Sequence, residues 1–349
     1  MNFLIHTGPG IGDILQKLPM ASAIKEQYPD SNIDFIICGS PKNYEIDMQI
    51  LECQKYVRNL YWYRFDYKFQ CAKVLLQLRK NHYDFGFVKD GGMMTVSAKP
   101  SFWIFRIMRW GGVKKIVGFI RDYVDIYADV PEFANFIERD RLTLNAAGIN
   151  APMKLKTIDE SKADFNFENC EKLRGKKIIA FSVGTNPCPW KNDDGTTIMY
   201  DVKSWSYKKW RELALRLAEK NIDVALIGGK QEQKAMSEKN ITIPENPHIF
   251  NFVGKTSIKQ SLALLSLCSL VVGSEGGMIH CASGLGIKTL IIFGGTDYRI
   301  WTPPQGEYIS LNLDCSPCYT TKRAAECKYH RCLEEIDVET VFNRIVNMI

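Results

Sequence analysis

Residues 271–306 (VVGSEGGMIHCASGLGIKTLIIFGGTDYRIWTPPQG) constrain the fold more than any other part of the chain. A β-branched run at 270–272 stops at an acidic, glycine-rich turn, a helical segment follows, and a second apolar strand covers 289–293. A helix that begins directly after a strand presents free backbone N–H groups, which bind phosphate. In α/β domains such ligands lie at the carboxyl ends of the strands. The segment therefore predicts an α/β domain with a phosphorylated or nucleotide ligand.

Length and composition are those of a two-domain globular protein. The chain has 349 residues, of which 46% are apolar and 24% charged. Its net charge of +6 favours anionic partners such as nucleotides, phosphorylated glycans or a membrane surface, but is too small to indicate nucleic acid. We see neither a secretory signal nor an apolar run long enough to span a bilayer, so we expect a cytoplasmic protein.

Strand and helix patterns alternate in both halves of the chain, which predicts mostly parallel sheets with helices on both faces. The polar segment 150–175 is interpreted as a linker between two α/β units. Strands are predicted at 2–6, 33–38, 57–61, 85–89, 115–118, 177–183 and 224–228, and helices at 13–28, 207–220 and 338–348.

A glycine turn precedes Asp13, and the pattern G-x-G-x-G-Asp runs from Gly8 through Gly12. This spacing differs from the G-x-G-x-x-G of dinucleotide-binding sites, and no acidic residue ends the next strand to hold a ribose, which disfavours a dehydrogenase. Two interpretations of Asp13 remain. It is either a helix N-cap, worth about 0.5–2 kcal/mol, or a general base that points into a cleft.

In the second half of the chain, two charged residues lie at the ends of predicted elements, where they could contact a bound nucleotide. Lys203 lies just before the helix at 207–220, where its ammonium group could contact a diphosphate; the alternative is a solvated lysine. Glu232 follows the strand at 224–228 and could accept hydrogen bonds from a ribose diol; the alternative is a helix cap. Trp205 and Trp210 are expected to pack in the core.

The turn at 274–277 and the helix after it hold the other candidate ligands of a donor. Glu275 is suited to a sugar hydroxyl, while the Gly276 and Gly277 amides would hold phosphate. His280, one turn into the helix, either donates to a phosphate or is a core histidine. The next strand ends in a Gly-Gly-Thr-Asp sequence that includes Thr296 and Asp297.

Four cysteines lie within eighteen residues, at Cys315, Cys318, Cys327 and Cys332. Such a group can form a thiolate cage for zinc or iron, although the second pair is more widely spaced than in most zinc knuckles. The alternative is a cysteine-rich structural lobe without metal. No acid–base residues surround the four, so we expect no catalytic role.

A basic, aromatic segment covers residues 99–115 and includes Lys99, Arg106 and Arg109. Aromatic side chains mixed with positive charge suit an anionic amphiphilic acceptor or a membrane interface. The alternative is a core helix whose arginines extend their charged ends into solvent.

Taken in order, these motifs resemble glycosyltransferase family 9, the ADP-heptose:lipopolysaccharide heptosyltransferase family. The resemblance covers residues 2–345 and rests on motifs that are weak alone but specific in their joint order. The matching motifs are Gly12-Asp13-Ile14-Leu15 with Pro19, Pro29 and Ile33-Asp34; Lys203-Ser204-Trp205; Gly228-Gly229 with Glu232; Glu275-Gly276-Gly277 with His280 and Gly284; Phe293-Gly294 with Thr296-Asp297, Trp301 and Pro303; and the four cysteines with Pro317 and Leu333.

The resemblance implies a GT-B fold, with an acceptor-binding Rossmann-like domain at 1–155, a nucleotide-sugar-binding one at 176–335, and a terminal helix at 336–349. It implies inverting transfer without a catalytic metal or cofactor, from an ADP-heptose-like donor to an anionic glycan or glycolipid acceptor, with peripheral contact to the inner membrane left open. Asp13 matches the family's general base, Lys203 a ligand of the donor diphosphate or sugar, and Glu232 a residue near the ribose. Gly12, Lys99, Arg106 and Arg109 are placed on the acceptor side.

Two departures from the family pattern affect specificity. Glu275 stands where the family more often has Asp, and its longer reach could change the sugar preference. The segment 186–202 is longer than usual and could cover the donor or hold a different acceptor. Another nucleotide-sugar transferase of the same fold, or a non-catalytic nucleotide-sugar-binding subunit, therefore remains an alternative. A GT-A enzyme is disfavoured, because no Asp-x-Asp occurs in the sequence.

Overall fold

The computed structural model describes residues 1–64, 66–88, 102–192 and 194–349, without the side chain of Phe102. These residues form two compact units, Met1–Lys162 and Ala163–Ile349. The division falls inside the polar segment 150–175. Each unit has its own parallel sheet, and none of the helices described is long and apolar enough to cross a membrane.

The first unit contains a six-stranded parallel sheet in the order β3-β2-β1-β4-β5-β6. Its direction of winding reverses between β1 and β4, which are adjacent, so their carboxyl ends form the switch point where α/β proteins bind ligands. The strands are β1 (Asn2–Thr7), β2 (Asn32–Cys38), β3 (Asn59–Tyr63), β4 (Phe85–Phe87), β5 (Lys115–Gly118) and β6 (Ile126–Tyr127).

The helices of this unit are α1 (Ile11–Gln27), α2 (Pro41–Leu51), α3 (Lys68–Asn81), α4 (Phe102–Trp110) and α5 (Phe136–Ala146), with a short 3₁₀ turn at Arg121–Tyr123 and another at Glu160–Lys162. Helix α1 is buried from Ile14 to Ile24, because it lies on the sheet and also packs against α2 and α5. Helix α2 begins with a capping box, in which Ser40 and Asn43 bond each other's backbone, and Pro41 occupies the first turn.

The second unit repeats this strand order, β11-β10-β7-β12-β13-β14, with every pair parallel. Its switch point lies between β7 and β12. The strands are β7 (Ile178–Ser182), β8 (Cys188–Lys191), β9 (Thr197–Tyr200), β10 (Asp223–Ile227), β11 (Ile249–Asn251), β12 (Cys268–Ser274), β13 (Lys288–Ile292) and β14 (Gly306–Ile309). Strands β8 and β9 are separate from this sheet and form an antiparallel hairpin.

Apolar side chains of the second sheet and its flanking helices make one large core. Trp205 and Trp210 are 1% exposed and meet edge to face at 4.8 Å, so the prediction that they pack is confirmed. The helices are α6 (Cys170–Leu173), α7 (Tyr207–Ala218), α8 (Lys230–Glu238), α9 (Ile258–Ser266), α10 (Gly277–Leu285), α11 (Tyr298–Trp301), α12 (Lys322–Glu326), α13 (Arg331–Glu334) and α14 (Val338–Met348).

Most predicted elements occur within one or two residues of their predicted bounds, and the largest shift is in β3. The strand was predicted at 57–61 but begins at Asn59, because the Gln54 side chain accepts hydrogen bonds from the Tyr56 and Val57 N–H groups. These two residues belong to a turn. Helix α1 begins at Ile11 rather than at Asp13, which changes the interpretation of that carboxylate.

Candidate active site

In the first unit, the turn between β1 and α1 holds the Asp13 carboxyl group against its backbone. A Cβ atom added to Gly8 would lie 2.6 Å from Asp13 Cγ, and one added to Gly10 would lie 3.5 Å from Asp13 Oδ2. Gly10 also has φ +148°, a conformation that side chains disfavour. The glycines are therefore required so that the half-buried Asp13 side chain can fold back over the turn.

The alternative that Asp13 caps α1 is wrong. The N-cap residue of the helix is Gly10, which makes no side-chain cap bond, and Asp13 is the third helical residue. The turn starts the helix earlier than the apolar pattern indicated, since the Ile14 N–H already bonds the Gly10 carbonyl at 3.1 Å. Asp13 thus lies in the first turn, at the positive end of the helix, beside Gly12.

Of the predicted acceptor-side cations, Arg109 is engaged away from Asp13. Arg109 forms a two-point ion pair with Asp125, at 2.7 and 2.9 Å, and Asp125 also accepts from the N–H of Ile116 near the amino end of β5. Arg109 therefore lies toward the sheet edge opposite to Asp13, which supports the structural alternative for this arginine. Arg106 is exposed, with its guanidinium 4.9 Å from the Trp103 ring. Lys99 lies outside the described residues.

In the second unit, three ionisable side chains meet after β12. Lys203 Nζ lies 3.4 Å from Glu275 Oε2, and His280 Nε2 lies 3.6 Å from Glu275 Oε1. Their side chains are 13%, 12% and 4% exposed for Lys203, Glu275 and His280. The Lys203 ammonium group also faces the Tyr319 ring at 5.0 Å. The structure thus brings together three residues that the sequence predicted as donor ligands.

The charge of Glu275 is fixed by its neighbours. Burial raises the pKa of this carboxyl group, but the Lys203 charge and the contact with His280 outweigh burial and lower the pKa to about 2. Glu275 is therefore a carboxylate at neutral pH. It can accept hydrogen bonds from sugar hydroxyl groups without a change in protonation.

Helix α10 starts beside this cluster, and its first amides are suited to an anion. Gly276 precedes the helix and Gly277 begins it, and no side chain of the described ranges caps this end. A Cβ on Gly276 would meet Thr185 at 3.6 Å, which is ordinary contact, so the glycine is not required by packing there. The absence of side chains instead leaves the backbone N–H groups open to a ligand.

A hydrogen-bonded loop that the sequence analysis missed positions Lys203. The Asp201 carboxylate accepts from the N–H groups of Lys203 and Ser204, at 2.9 and 3.0 Å, and from the Thr185 hydroxyl at 3.2 Å. Thr185 follows the end of β7, so the carboxyl-edge rule that selected Glu275 could have found it. Asp201 gave no such signal, because its partners are set by the turn itself.

Glu232 caps α8, as the alternative interpretation held. Its Oε2 accepts from the Gly229 N–H at 2.7 Å, and its side chain lies over Gly184, where an added Cβ would be 2.3 Å from Glu232 Cγ. Burial raises the pKa of Tyr207 to about 12, and the nearby charges of Glu232 and Asp201 add to the rise. Glu232 therefore belongs to the same edge of the sheet as the Lys203 loop.

Thr296 and Asp297 are buried after β13, at 3% and 2% exposure. Asp297 caps α11 by accepting from the Arg299 N–H at 2.9 Å, and also forms an ion pair with the Arg299 side chain at 2.6 Å. Its carboxylate thus has a structural use. The Thr296 hydroxyl has no hydrogen-bond partner among the residues described.

The four clustered cysteines do not form the metal cage that was one interpretation of their spacing. Within the described ranges, no three His, Cys, Asp or Glu side chains lie close enough to hold a metal ion. Cys318 packs with Tyr200 and Val202 from the hairpin region, whereas Cys332 packs in the main core. Burial, with a smaller effect of neighbouring thiols, raises the pKa of both to about 11.

Cys315 and Cys327, the other two cysteines of the group, are exposed and form no disulfide. The structure therefore favours the alternative of a cysteine-rich structural lobe. It also accounts for the long segment 186–202, whose β8–β9 hairpin packs against this lobe through Tyr200 and Cys188.

Comparisons with known proteins agree with this architecture. The profile of Glycosyltransferase family 9 (heptosyltransferase) matches residues 72–329. Lipooligosaccharide heptosyltransferase 2 of Campylobacter jejuni is 26% identical over 357 residues, covering 100% of this chain and 98% of its own. The structure of E. coli heptosyltransferase WaaC with ADP aligns with a TM-score of 0.70 at 15% identity, covering 100% of both chains.

The glycosyl transferase family 9 structure from Veillonella parvula DSM 2008 gives a TM-score of 0.71 at 13% identity, covering 99% of this chain and 96% of its own. Together with the two parallel sheets of six strands, these alignments confirm the predicted GT-B fold. The profile match extends from α3 to the cysteine lobe and covers most of the sequence. The chain belongs to glycosyltransferase family 9, the heptosyltransferase family, and is a glycosyltransferase.

Proposed function

We propose that the protein transfers heptose from an ADP-heptose-like nucleotide sugar to a lipopolysaccharide-core or related glycan acceptor, with inversion and without a catalytic metal. The observation that carries this proposal is the Lys203–Glu275–His280 cluster beside the open start of α10. It combines a cation and backbone amides for a diphosphate with a carboxylate for a sugar. The Campylobacter relative is named a heptosyltransferase, and the structure of WaaC contains ADP. Both support this donor class.

The proposed reaction is a single displacement at the anomeric carbon. An acceptor hydroxyl oxygen forms a bond to that carbon from the face opposite the nucleotide, while the bond to the diphosphate oxygen breaks. Asp13 accepts the hydroxyl proton, and a placed general base typically contributes 10²–10⁴-fold. Its position over the glycine turn, near the carboxyl end of β1, supports this role.

The second unit would supply the charge that the leaving group needs. Negative charge develops on the departing diphosphate, and the Lys203 ammonium group with the Gly276 and Gly277 amides would stabilise it. A lysine and a helix start provide the positive charge that a divalent metal provides elsewhere. The ionised Glu275 would accept hydrogen bonds from the sugar and also favour its transient positive charge.

Glu232, Thr296 and Asp297 complete the proposed donor side. Glu232 caps α8 through Oε2, and its other carboxylate oxygen, Oε1, could accept a hydrogen bond from a ribose hydroxyl. The buried Thr296 hydroxyl could bond a donor oxygen. On the acceptor side, exposed Trp103 and Trp110, at 40% and 51%, with Arg106 between them on α4, support peripheral contact with an anionic lipid surface.

The test uses Asp13→Asn, with Asp30→Asn as a control at an exposed carboxylate of the same unit. We expect Asp13→Asn to reduce transfer at least 100-fold while calorimetry shows nearly unchanged donor binding, and the control to remain active. Transfer is screened with ADP-heptose and other nucleotide sugars. Turnover retained by Asp13→Asn would exclude Asp13 as the base, and donor binding without transfer by the wild type would favour a non-catalytic binding protein.

A further inference from the structure

A second carboxyl group lies beside the proposed base, on helix α2. Asp47 is 0% exposed, and neither of its carboxyl oxygens has a regular hydrogen-bond partner among the residues that the structure describes. A buried carboxyl group with so little hydrogen bonding is costly, so residues of this kind are rare unless they have a use. The sequence did not single out Asp47, which is one acidic residue in a helix of mixed composition.

Local packing places Asp47 next to the turn that carries Asp13. A Cβ atom on Gly39 would lie 3.3 Å from Pro9 Cβ and 3.5 Å from Asn43 Cβ, so the start of α2 adjoins the β1–α1 turn. Asn43 and Asp47 are four residues apart and share one face of α2. On that face the Asp47 carboxyl group is close enough to the Gly10 N–H and the Asp13 side chain for both to act on its pKa.

The surroundings of Asp47 favour its neutral form. Burial raises its pKa to about 7; the Gly10 N–H opposes this rise, and the Asp13 charge adds to it. Helix α2 packs against α1 and β3. Asp13 is the charged group that acts on Asp47 from α1. Tyr61 and Tyr63 of β3 pack toward α3 and α4 instead.

We propose that Asp47 is a positioning residue for Asp13, holding the Gly10 end of the turn and setting the negative charge next to the Asp13 carboxylate. This inference rests on the proposed role of Asp13 as the base. When Asp47 is protonated, it adds no charge beside Asp13. When Asp47 loses its proton, the added negative charge favours transfer of the acceptor hydroxyl proton to Asp13, because a nearby negative charge makes a carboxylate a stronger base.

The first test compares the pH dependence of wild-type enzyme and Asp47→Asn. The amide stays neutral at every pH and so resembles protonated Asp47. We expect the ratio of wild-type to variant kcat to rise from about 1 near pH 5.5 to about 10 near pH 8, with the KM for donor unchanged. Asn43→Ala is the control, because it removes the capping box of α2 without altering charge and should leave the shape of the pH profile intact.

The second test needs no activity. Because the folded-state pKa of Asp47 is raised to about 7 from an ordinary value of 3.8, the wild type should lose stability relative to Asp47→Asn as pH rises between these values. Melting temperatures should therefore diverge in favour of Asp47→Asn between pH 5 and 8. Asn43→Ala should instead show a constant offset across this range.

The outcomes distinguish the inference from the function on which it rests. If the melting temperatures of wild type and Asp47→Asn change with pH in the same way, the inference is overturned and the transferase proposal stays intact. If the melting temperatures diverge with pH but the ratio of wild-type to variant kcat stays constant, the inference is also overturned, because the proton on Asp47 would then have no effect on Asp13. Absence of transfer by the wild type with every donor would overturn the proposed function, and the inference with it.

Discussion

At Glu275, burial and local charge act in opposite directions, and their balance decides what the residue can bind. Burial alone would raise the pKa and leave a neutral acid, whereas Lys203 and His280 lower it to about 2. At Asp47 no cation is within reach among the residues described, burial dominates, and the pKa rises to about 7. Two largely buried carboxyl groups therefore differ in pKa because one has a lysine and the other has another acid beside it.

The pairing of Lys203 with Glu275 should be measurable as a coupling energy. In a double-mutant cycle with Lys203→Met and Glu275→Gln, we expect about 1–3 kcal/mol in urea unfolding at pH 7, because each single change leaves a mostly buried charge alone. The folded-state pKa of Glu275 is depressed from 4.5, so its contribution to stability is present above pH 4.5 and declines as pH falls toward 2. The coupling should therefore be smaller at pH 3.5 than at pH 7.

A cycle on the exposed pair Lys154–Glu26 gives the matched control, with a much smaller coupling because water screens both charges. An equal coupling for the two pairs would show that Glu275 is solvated and not held by Lys203. The donor-binding role of Lys203 would then lose its structural support.

Which site residues the sequence could predict depends on how each one is positioned. Glu275 and Lys203 follow or precede regular elements, so strand and helix patterns place them at the carboxyl edge of a parallel sheet. Asp47 lies on a neighbouring helix, and only packing brings it to Asp13. The four cysteines were ambiguous for the same reason, since their spacing does not show that Cys318 and Cys332 face different apolar clusters.

At the scale of elements, the β1–α1 turn depends on glycine for two different reasons. Gly10 needs its backbone conformation, with φ +148°, whereas Gly8 needs the space that the Asp13 carboxyl group fills. Gly8→Ala should therefore fold with little loss of stability, because Asp13 can rotate away from the new methyl group. A base displaced by about 1 Å costs up to 100-fold in rate, so we expect kcat to fall by about that factor.

Gly148→Ala is the control for this prediction. Gly148 also belongs to the first unit and has φ +77°, with nothing within 4 Å of an added Cβ. It should lose about 1–2 kcal/mol of stability from backbone strain and retain normal kcat, the reverse of Gly8→Ala. Circular dichroism with denaturant and initial-rate assays separate the two effects. Normal kcat in Gly8→Ala would show that Asp13 does not need its position over the turn.

Elements were more predictable than their ends. Alternating strands and helices follow from apolar periodicity, and α14 was predicted with its observed bounds of Val338–Met348. The start of β3 was not predicted correctly. The Gln54 side chain accepts hydrogen bonds from two backbone N–H groups, so the strand begins two residues later than expected. The β8–β9 hairpin gave no clear signal either, since it is short and is stabilised by the cysteine lobe.

At the scale of the molecule, two units with the same strand order place their proposed ligands at equivalent switch points, β1/β4 in the first and β7/β12 in the second. Asp13 belongs to the first unit and the Lys203 cluster to the second. If the second unit binds the donor, ADP should order that unit's loops. We therefore predict slower amide hydrogen exchange with ADP at 201–205 and 275–280, with little change at 8–13.

Two variants make this prediction specific to the proposed donor residues. Asp13→Asn should show the same protection by ADP, because its carboxyl group acts on the acceptor and not on the nucleotide. Lys203→Met should show much less, because the diphosphate loses its cation and each lost charged contact costs about 1.5–3 kcal/mol. Protection by ADP at 8–13 but not at 275–280 would assign the nucleotide to the first unit. The proposed roles of Asp13 and Lys203 would then have to be exchanged between acceptor and donor.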